Sequence, residues 1–513
     1  MEDVRFTPAD LHQLEARGVA EAEARRHLAI MAAPPAYADL VRPCTLGDGI
    51  DQLSQERLVR LAVTQSMTSS THESSVFVPA SGAASRMFKE LLAELSTGDG
   101  LMPADVRARA SAGDRDAQCL AAFVEGLPRF AFVNALEKSL AHLGHRLSSL
   151  RQHGPWRTLL ATFLETPGLG YAHSPKGLVA FHREEGSVRT AFIEHLREAS
   201  RSVRDGQGRV QMHFTVSPEH RAGFATLLAM EAPSLEAELE ADFDVEFSEQ
   251  HPATDTLAAD SAGGPFRDDA GRLLFRPAGH GALLRNLQET QGDLVFLKNI
   301  DNVAVSRLKD ETFRWSAALL GLVAQLQGEA HAFAAAIEAG QPNAIEGAAA
   351  FLAEHFGEVG LAGDGETLLA ALDRPLRVAG MVPNTGEPGG GPFWVRGANG
   401  AVTRQIVEGA QVDPASAPQQ AIAAQATHFN PVFLACALRD RNRHVHHLER
   451  FVDSSAVIIT RRSHGGKDLV ALERPGLWNG AMALWNTVFI EVPITVFNPV
   501  KGVLDLLRPE HQG

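Results

Sequence analysis

The sequence predicts an α/β protein built on a doubly wound, Rossmann-like, mostly parallel sheet with helices on both faces. Three observations predict it. Short apolar runs rich in β-branched and aromatic residues recur at 75–78, 209–217, 243–247 and 294–297. Stretches with apolar residues at helical spacing separate them. Loops of small and polar residues follow three of these strands, after Val78, Phe247 and Leu297, and ligands of such sheets bind at the carboxyl ends of strands.

In chain order, 7–31 reads as helix, opened by a Thr7/Asp10 capping box and ended at Pro34-Pro35. A second helix covers 54–63, so residues 1–70 form a helical preface. The run Ser75-Val76-Phe77-Val78 breaks into Pro79-Ala80-Ser81-Gly82-Ala83-Ala84-Ser85-Arg86, and apolar residues then repeat at helical spacing over 87–95. Further helix, broken by Gly and Pro, is expected at 106–145 and 156–166, and another helix at 189–201. A Gly/Pro loop at 168–175 carries Tyr171 and His173, and with Lys176 it reads as a substrate lid. Ser217 is placed to cap the helix that Pro218 opens. Residues 71–305 are read as a nucleotide-binding half, and 306–375, Ala- and Leu-rich over 308–356, as a helical insertion. In 376–513 come a strand at 376–382, a hairpin (393–396 and 401–408) turned at Asn399-Gly400, and an Ala/Gln/Pro linker at 414–425. Strands follow at 456–460, 468–472 and 488–496, and Trp478 and Trp485, seven apart, would share a helix face.

The bulk numbers exclude several function classes. With 513 residues, 45% hydrophobic and 21% charged, the chain has ample material for a globular core. A formal charge of −15 argues against a nucleic-acid or anionic-membrane partner, so an anionic substrate needs a local basic pocket. Cys44, Cys119 and Cys436 show no paired spacing, which fits a reducing compartment. The first residues lack the order of a signal peptide and no run reaches membrane-span length, so the cytoplasm is the expected location.

Strand, small-residue loop and helix make a geometry in which backbone N–H groups close around a phosphate. Gly82 can take a positive φ there, and Arg86 could place a fixed charge on the same anion. A packing turn is the alternative. Gln250 and Pro252 follow the third strand, and Pro277-Ala278-Gly279-His280-Gly281 opens a helix at Ala282. Asn299-Ile300-Asp301-Asn302 ends the fourth strand. Asp301 there suits Mg²⁺, a hard cation, or else caps a helix or an Asx-turn. Phe497-Asn498-Pro499-Val500-Lys501 sets a lysine behind a buried strand, either as a snorkelling surface side chain or as a clamp on phosphate.

Taken in this order, the Ser85-Arg86-Met87 loop, Gln-x-Pro, Pro-x-Gly-His-Gly, Asn-x-Asp-Asn and Pro-Val-Lys…Asp-Leu-Leu (through Leu507) resemble the UDP-sugar pyrophosphorylases of the sugar-nucleotidyltransferase superfamily. The blocks His213-Phe214-Thr215-Val216-Ser217-Pro218-Glu219-His220 and Pro475-Gly476-Leu477-Trp478-Asn479-Gly480 are similar to a bacterial family of unknown function in that lineage. The resemblance spans 76–507 discontinuously. It implies a GT-A-like nucleotidyltransferase fold that uses Mg²⁺ and transfers a uridylyl or other nucleotidyl group from an NTP to a sugar 1-phosphate, releasing pyrophosphate. It implies that Gly82, Ala83, Ala84 and Ser85 hold the NTP phosphates, with Arg86 near the leaving pyrophosphate. Gln250, Gly279, His280 and Gly281 would read the uracil, and Asp301 would bind the metal. Glu408 and Asn430 would contact sugar hydroxyls, with Glu387, Gly389 and Gly390 lining the same pocket. Lys501 would span the sugar phosphate and the α-phosphate.

Two departures from the resemblance are visible. Ala84 and Ser85 stand where the family has Gly-Thr, and the Pro-Lys after its loop is missing, with Lys89 lying closer than that lysine should. A nucleotide- or sugar-phosphate-binding protein without transfer activity is therefore the alternative expectation.

Overall fold

The computed structural model describes residues 6–68, 72–98, 101–358, 364–386 and 389–513; Glu387, expected in the sugar pocket, lies outside them. The elements that position the site are β1 (Ser74–Pro79), α1 (Lys89–Ser96), α2 (Ala191–Ser202), β2 (Arg209–Val216), α3 (Pro218–Leu239), β3 (Asp242–Glu249), β4 (Leu294–Lys298), α4 (Lys309–Glu338), β5 (Leu376–Pro383), β6 (His428–Phe429), β7 (Phe433–Ala437) and β8 (Asn486–Glu491). The predicted α/β class with a mostly parallel sheet holds. The chain divides into two compact units, each assembled from discontinuous stretches. The linear boundaries expected at 70, 305 and 375 therefore give the order of elements along the chain, not compact units.

The first unit comprises residues 1–77, 248–297 and 315–494. Its strands run in the order β6-β5-β7-β4-β1, with β8 also pairing β5. β4 is parallel to β1 (Leu294 opposite Ser74, Leu297 opposite Phe77), and β8 is parallel to β5. β7 and β6 are antiparallel to β5. Every residue of β4 and β7 is buried, the continuous apolar pattern of strands covered on both faces. Phe77, Val295, Leu297, Met381, Leu434 and Phe489 form part of the core there. A separate three-stranded sheet joins Asp39–Pro43 to the hairpin Gly391–Arg396/Val402–Val407.

The second unit comprises residues 78–247, 298–314 and 495–513. It contains the end of β1, followed in the sheet by β2 and β3. Phe192 of α2, Phe214 of β2, Phe224 of α3 and Phe247 of β3 pack with ring centroids 4.8–6.1 Å apart. Phe88, Phe123, Phe130, Phe132, Phe163 and Tyr171 make a second aromatic core among the helices that follow β1. Among the described residues no single helix is long and apolar enough to cross a membrane.

Several expectations need correction. The 7–31 helix is two helices, Pro8–Arg17 and Glu21–Ala32, because Gly18 ends the first in the left-handed region (φ 71°). The Thr7/Asp10 capping box itself forms, with reciprocal bonds of 2.8 and 3.2 Å. The 106–145 stretch, by contrast, is broken by Gly and Pro as expected: it forms three helices (Pro103–Ser111, Arg115–Gly126 and Val133–His142), interrupted at Gly113 (φ 97°) and at Pro128. Ser217 precedes α3, but its hydroxyl makes no capping bond. The supposed linker contains a helix, Ala417–Ala423, docked by the Gln419 amide on both backbone groups of Leu40. Its Ala/Gln composition is helix-forming once Pro418 starts the first turn. Trp478 and Trp485 share no helix face, since a loop and a 3₁₀ turn (Gly480–Met482) lie between them. The last strand stops at Glu491, two residues before Pro493, rather than reaching Val496.

Candidate functional site

In the second unit, β1 ends at Pro79 and its continuation is anchored by the Ala80 N–H on the Thr215 carbonyl of β2 (2.8 Å). Ser81, Gly82 and Ala83 are exposed, and one 3₁₀ turn (Ala84–Arg86) leads towards α1. Two details differ from expectation. Gly82 does not adopt a positive φ; a Cβ there would meet nothing within 4 Å, so its backbone faces open space. The Ala84 N–H donates to the Ser174 carbonyl (2.9 Å), so it is already used within the protein. α1 starts at Lys89, later than the expected helix at Met87.

The loop 174–176, expected as a lid, runs alongside the small-residue loop. Ala83 bridges to Pro175, and the Lys176 N–H donates to the Gly82 carbonyl (3.2 Å). The Lys176 ammonium then donates to Asp301 Oδ2 (2.8 Å) and to the Val500 carbonyl (2.8 Å). Lys501 Nζ stands 3.5 Å from the same carboxylate oxygen. Asp301 thus meets two ammonium groups and is neither a helix cap nor an Asx-turn. Burial pushes its carboxyl up, but the Lys176 and Lys501 charges outweigh that and hold it below the usual carboxylate range. The Val500 N–H returns a bond to the Asp301 carbonyl (3.1 Å).

The Lys501 backbone is fixed by Asp505, whose Oδ2 accepts from the Lys501 and Gly502 N–H groups at 2.7 and 2.8 Å. The Val503 N–H donates to the Met87 carbonyl (3.0 Å), tying this segment to the residue after Arg86. Arg86 itself is exposed. Beneath Asp301, His195 Nε2–H donates to the Ile300 carbonyl (3.2 Å), and burial pushes that imidazole down to about 4. Asn302 Oδ1 accepts from the Asn498 N–H (2.8 Å), joining the strand-end loop to the segment that carries Lys501.

In the first unit the other expected residues form a separate cluster. Gly279 has φ 72°, and a Cβ on Gly281 would lie 2.0 Å from the Pro475 carbonyl oxygen, so both positions require glycine. His280 stacks on Trp478 (centroids 4.0 Å apart, planes 11° apart). Its Nδ1 accepts from the Leu477 N–H (2.9 Å), which leaves Nε2–H to face Glu408 Oε1 at 3.4 Å. The Asn479 amide donates to the same oxygen (2.7 Å). The hydrogen bond with His280 holds the Glu408 carboxyl below its ordinary range, against partial burial. Gly390 packs beside Glu408, and its carbonyl accepts the Asn430 N–H (2.8 Å). Glu408, Gly390, Asn430 and His280 are therefore brought together, while Gly389 lies against Phe429. Gln250 is engaged in its own loop: its amide donates to Asp255 (2.9 Å), and Arg474 links that loop to Ala278 through the Thr254 carbonyl.

A family model described as a domain of unknown function (DUF4301) matches residues 7–512. The chain belongs to the DUF4301 family. This DUF4301 chain is similar to the UDP-N-acetylglucosamine pyrophosphorylase of Trypanosoma brucei, solved with an inhibitor, at 14% identity and a TM-score of 0.50, covering 98% of this chain and 79% of that one. A UDP-glucose pyrophosphorylase variant of Leishmania major, solved with UDP-glucose, matches at 14% identity over 98% and 79% of the two chains, with a TM-score of 0.46. The corresponding figures for a UDP-glucose phosphorylase of Trypanosoma brucei are 13%, 97%, 77% and 0.44. No curated protein matches the chain. At 14% identity the likeness to the UDP-N-acetylglucosamine pyrophosphorylase shows the fold alone: the DUF4301 chain has the nucleotidyltransferase-like α/β fold of that structure.

Three contributors to the DUF4301 clusters escape a reading of motifs. Lys176 sits 125 positions from Asp301, and its only sequence signal is a basic residue after a Gly/Pro loop. Trp478 and Asn479 are read only in part: core packing or sugar stacking for Trp478 and a sugar-hydroxyl contact or a cap for Asn479, with Trp478 assigned to a helix that does not form. The loop 475–478 that presents them has no periodicity to read.

Proposed function

We propose that this DUF4301 protein transfers a nucleotidyl group, uridylyl by preference, from an NTP to a sugar 1-phosphate. The observation that carries the reading is the convergence of the Lys176 and Lys501 ammonium groups on one oxygen of Asp301, beside the exposed Gly82 loop. Two positive charges on one carboxylate leave a local positive excess in a chain of net charge −15, which suits a polyanionic substrate. The fold and the motif order support the same class of reaction.

An oxygen of the sugar phosphate attacks the α-phosphorus in line. The bond between the α-phosphorus and the bridging oxygen to the β-phosphorus breaks, and pyrophosphate leaves with that electron pair. No covalent enzyme intermediate is required, so the protein's part is positioning and neutralisation of charge by Arg86 and Lys501. Magnesium enters this reading as part of the Mg–NTP substrate. As arranged, Asp301 does not fit a resident ion: two ammonium groups already converge on one of its oxygens, and a divalent cation there would meet both. In the first unit, Glu408, Asn430 and Asn479 are the groups suited to sugar hydroxyls. The Asn430 Nδ2 and Asn479 Oδ1 atoms are buried without a hydrogen-bond partner among the described residues.

The test is a panel of NTPs against sugar 1-phosphates with released pyrophosphate as readout. Release with at least one pair is expected, with UTP the preferred nucleotide. The Ala84 N–H bond to Ser174 favours a second reading, a protein that binds these ligands without transferring the nucleotidyl group, because it takes one loop donor away from phosphate. Calorimetric binding of UTP without any pyrophosphate release would select that reading.

A further inference from the structure

We propose that Arg377 is a positioning residue for the Glu408 cluster: its buried guanidinium holds the carbonyl between Trp478 and Asn479 and so sets the loop that presents both residues to Glu408 and His280. This deepens the nucleotidyl-transfer reading above and rests on it for the identity of the ligand. All of these residues belong to the first unit.

Arg377 is out of place where it stands. It is the second residue of β5, between Leu376 and Val378, and is fully buried. Cys436 of β7 and Thr487 of β8 lie opposite it in the sheet. Among the described residues no carboxylate pairs with it. Its Nε–H donates to Thr487 Oγ1 (2.9 Å) and an Nη1–H to the Trp478 carbonyl (2.6 Å), while Nη2 has no hydrogen-bond partner among the described residues. Burial pushes the guanidinium down to about 10, so it stays charged at neutral pH. A charge buried without a counter-ion costs stability, and an apolar side chain of similar length would sit there at less cost. Stability does not account for Arg377. What it holds does.

The loop it reaches has no regular structure of its own, running between the strand Lys467–Glu473 and the 3₁₀ turn Gly480–Met482. The Leu477 N–H, the Trp478 ring and the Asn479 amide join that loop to His280 and Glu408, members of the cluster itself. The Arg377 bond instead ties it to a strand of the sheet. The carbonyl it takes belongs to the planar peptide group between Trp478 and Asn479, so its direction fixes how both side chains leave the backbone. Thr487 Oγ1 accepts from Nε and donates to the Trp485 carbonyl (3.0 Å), which holds the guanidinium plane in turn. A planar fork fixed at two points suits this task better than a flexible ammonium.

The experiment is calorimetry with glucose 1-phosphate and N-acetylglucosamine 1-phosphate on the full chain, beside steady-state KM for each substrate and chemical denaturation. It compares wild type, Arg377→Met, Asn479→Ala and the double variant. Arg377→Met is expected to weaken sugar 1-phosphate binding about tenfold, the loss of roughly one charge-assisted hydrogen bond, with KM for the NTP unchanged. Its denaturation midpoint should be unchanged or higher. In the double variant the loss should stay near about tenfold instead of reaching about a hundredfold, because both substitutions remove the same Asn479–Glu408 contact. A residue that only supports the fold predicts a lower midpoint, equal effects on both substrates and losses that multiply. Any of those three results, wild-type affinity in Arg377→Met, or no binding of either sugar phosphate by wild type would overturn the proposal. Should Arg377→Met not fold, Arg377→Lys, which keeps the charge, enters the same cycle under the same criteria. The two readings fail differently. Arg377-dependent sugar 1-phosphate binding without pyrophosphate release from any NTP removes nucleotidyl transfer and keeps Arg377, whereas release with wild-type constants in Arg377→Met does the reverse.

Discussion

Lys176 Nζ lies 2.8 Å from Asp301 Oδ2, and Lys501 Nζ stands 3.5 Å from the same atom. The two lysines are not equivalent. The side chain of Lys176 is 13% exposed and pinned by a second bond to a carbonyl, whereas that of Lys501 is 47% exposed. One ammonium is fixed and the other is free to follow a ligand. That division suits a reaction in which one phosphate group is held while another arrives.

The glycines of the 279–281 turn make a stability prediction independent of function. Gly281→Ala would drive a methyl group into the Pro475 carbonyl, 2.0 Å away, and displace the segment that carries Trp478 and Asn479. A loss of about 2–3 kcal/mol is expected, as for other overpacked sites. Chemical denaturation measures it directly, and an unchanged midpoint would mean that the turn is looser than described.

A second prediction concerns pH. Burial is the main cause holding His195 down to about 4 and His511 down to about 3, and His511 also faces His182, Arg508 and Glu194. Unfolded histidine titrates near 6.5, so below that pH the unfolded chain binds protons that the native chain does not. Their contribution to stability is complete above pH 6.5 and is lost as pH falls towards 4 and 3. At pH 5 each histidine should cost about 2 kcal/mol relative to pH 7. Unfolding curves between pH 5 and 7, compared for wild type and His511→Asn, should show a shallower pH slope in the variant. An identical slope would contradict the assignment for His511.

The cysteines give a third. Desolvation pushes the Cys44, Cys119 and Cys436 thiols up to about 12. Thiolate is the reactive form, so an aromatic disulfide reagent at pH 8 should modify the native protein slowly at all three sites. In denaturant all three should react at once. Rapid native-state labelling of Cys44 or Cys436, both buried, would show that the first unit opens readily.

How legible was this in the sequence? The strands of the site were readable because β1 and β4 are buried apolar runs ending in small or polar residues. Asp301 and Lys501 could be named from local motifs. Their meeting could not, since the Asn302–Asn498 bond that brings those segments together spans 196 positions. Lys176 reads from the sequence only as a residue of a lid loop, because its contact with Asp301 comes from pairing between two irregular loops, which leave no periodic trace. The helix Ala417–Ala423 was missed because Ala/Gln composition reads as linker unless the docking of Gln419 on Leu40 is known. Trp478 was placed on a helix by spacing alone, and Gly476 and Gly480 around it explain the error: a Cβ at either would lie within 2.6 Å of a neighbour.

In the first unit, Glu408 is held by His280 and Asn479 with its carboxyl kept ionised, an acceptor for sugar hydroxyls under the proposed function. Asn479→Ala is expected to raise KM for the sugar 1-phosphate about tenfold, because a misaligned Glu408 loses roughly one charge-assisted hydrogen bond, while KM for the NTP stays the same. Steady-state kinetics with each substrate varied in turn checks this. Equal effects on both constants would point to a structural role instead.

The measurement that bears most directly on the central claim is the rate of pyrophosphate release in Lys501→Ala and Asp301→Ala beside wild type, with native folding verified by circular dichroism. Turnover lower by two or more orders of magnitude in both folded variants is the expected result. Wild-type rates in both would show that the Asp301–Lys501 pair takes no part in the chemistry.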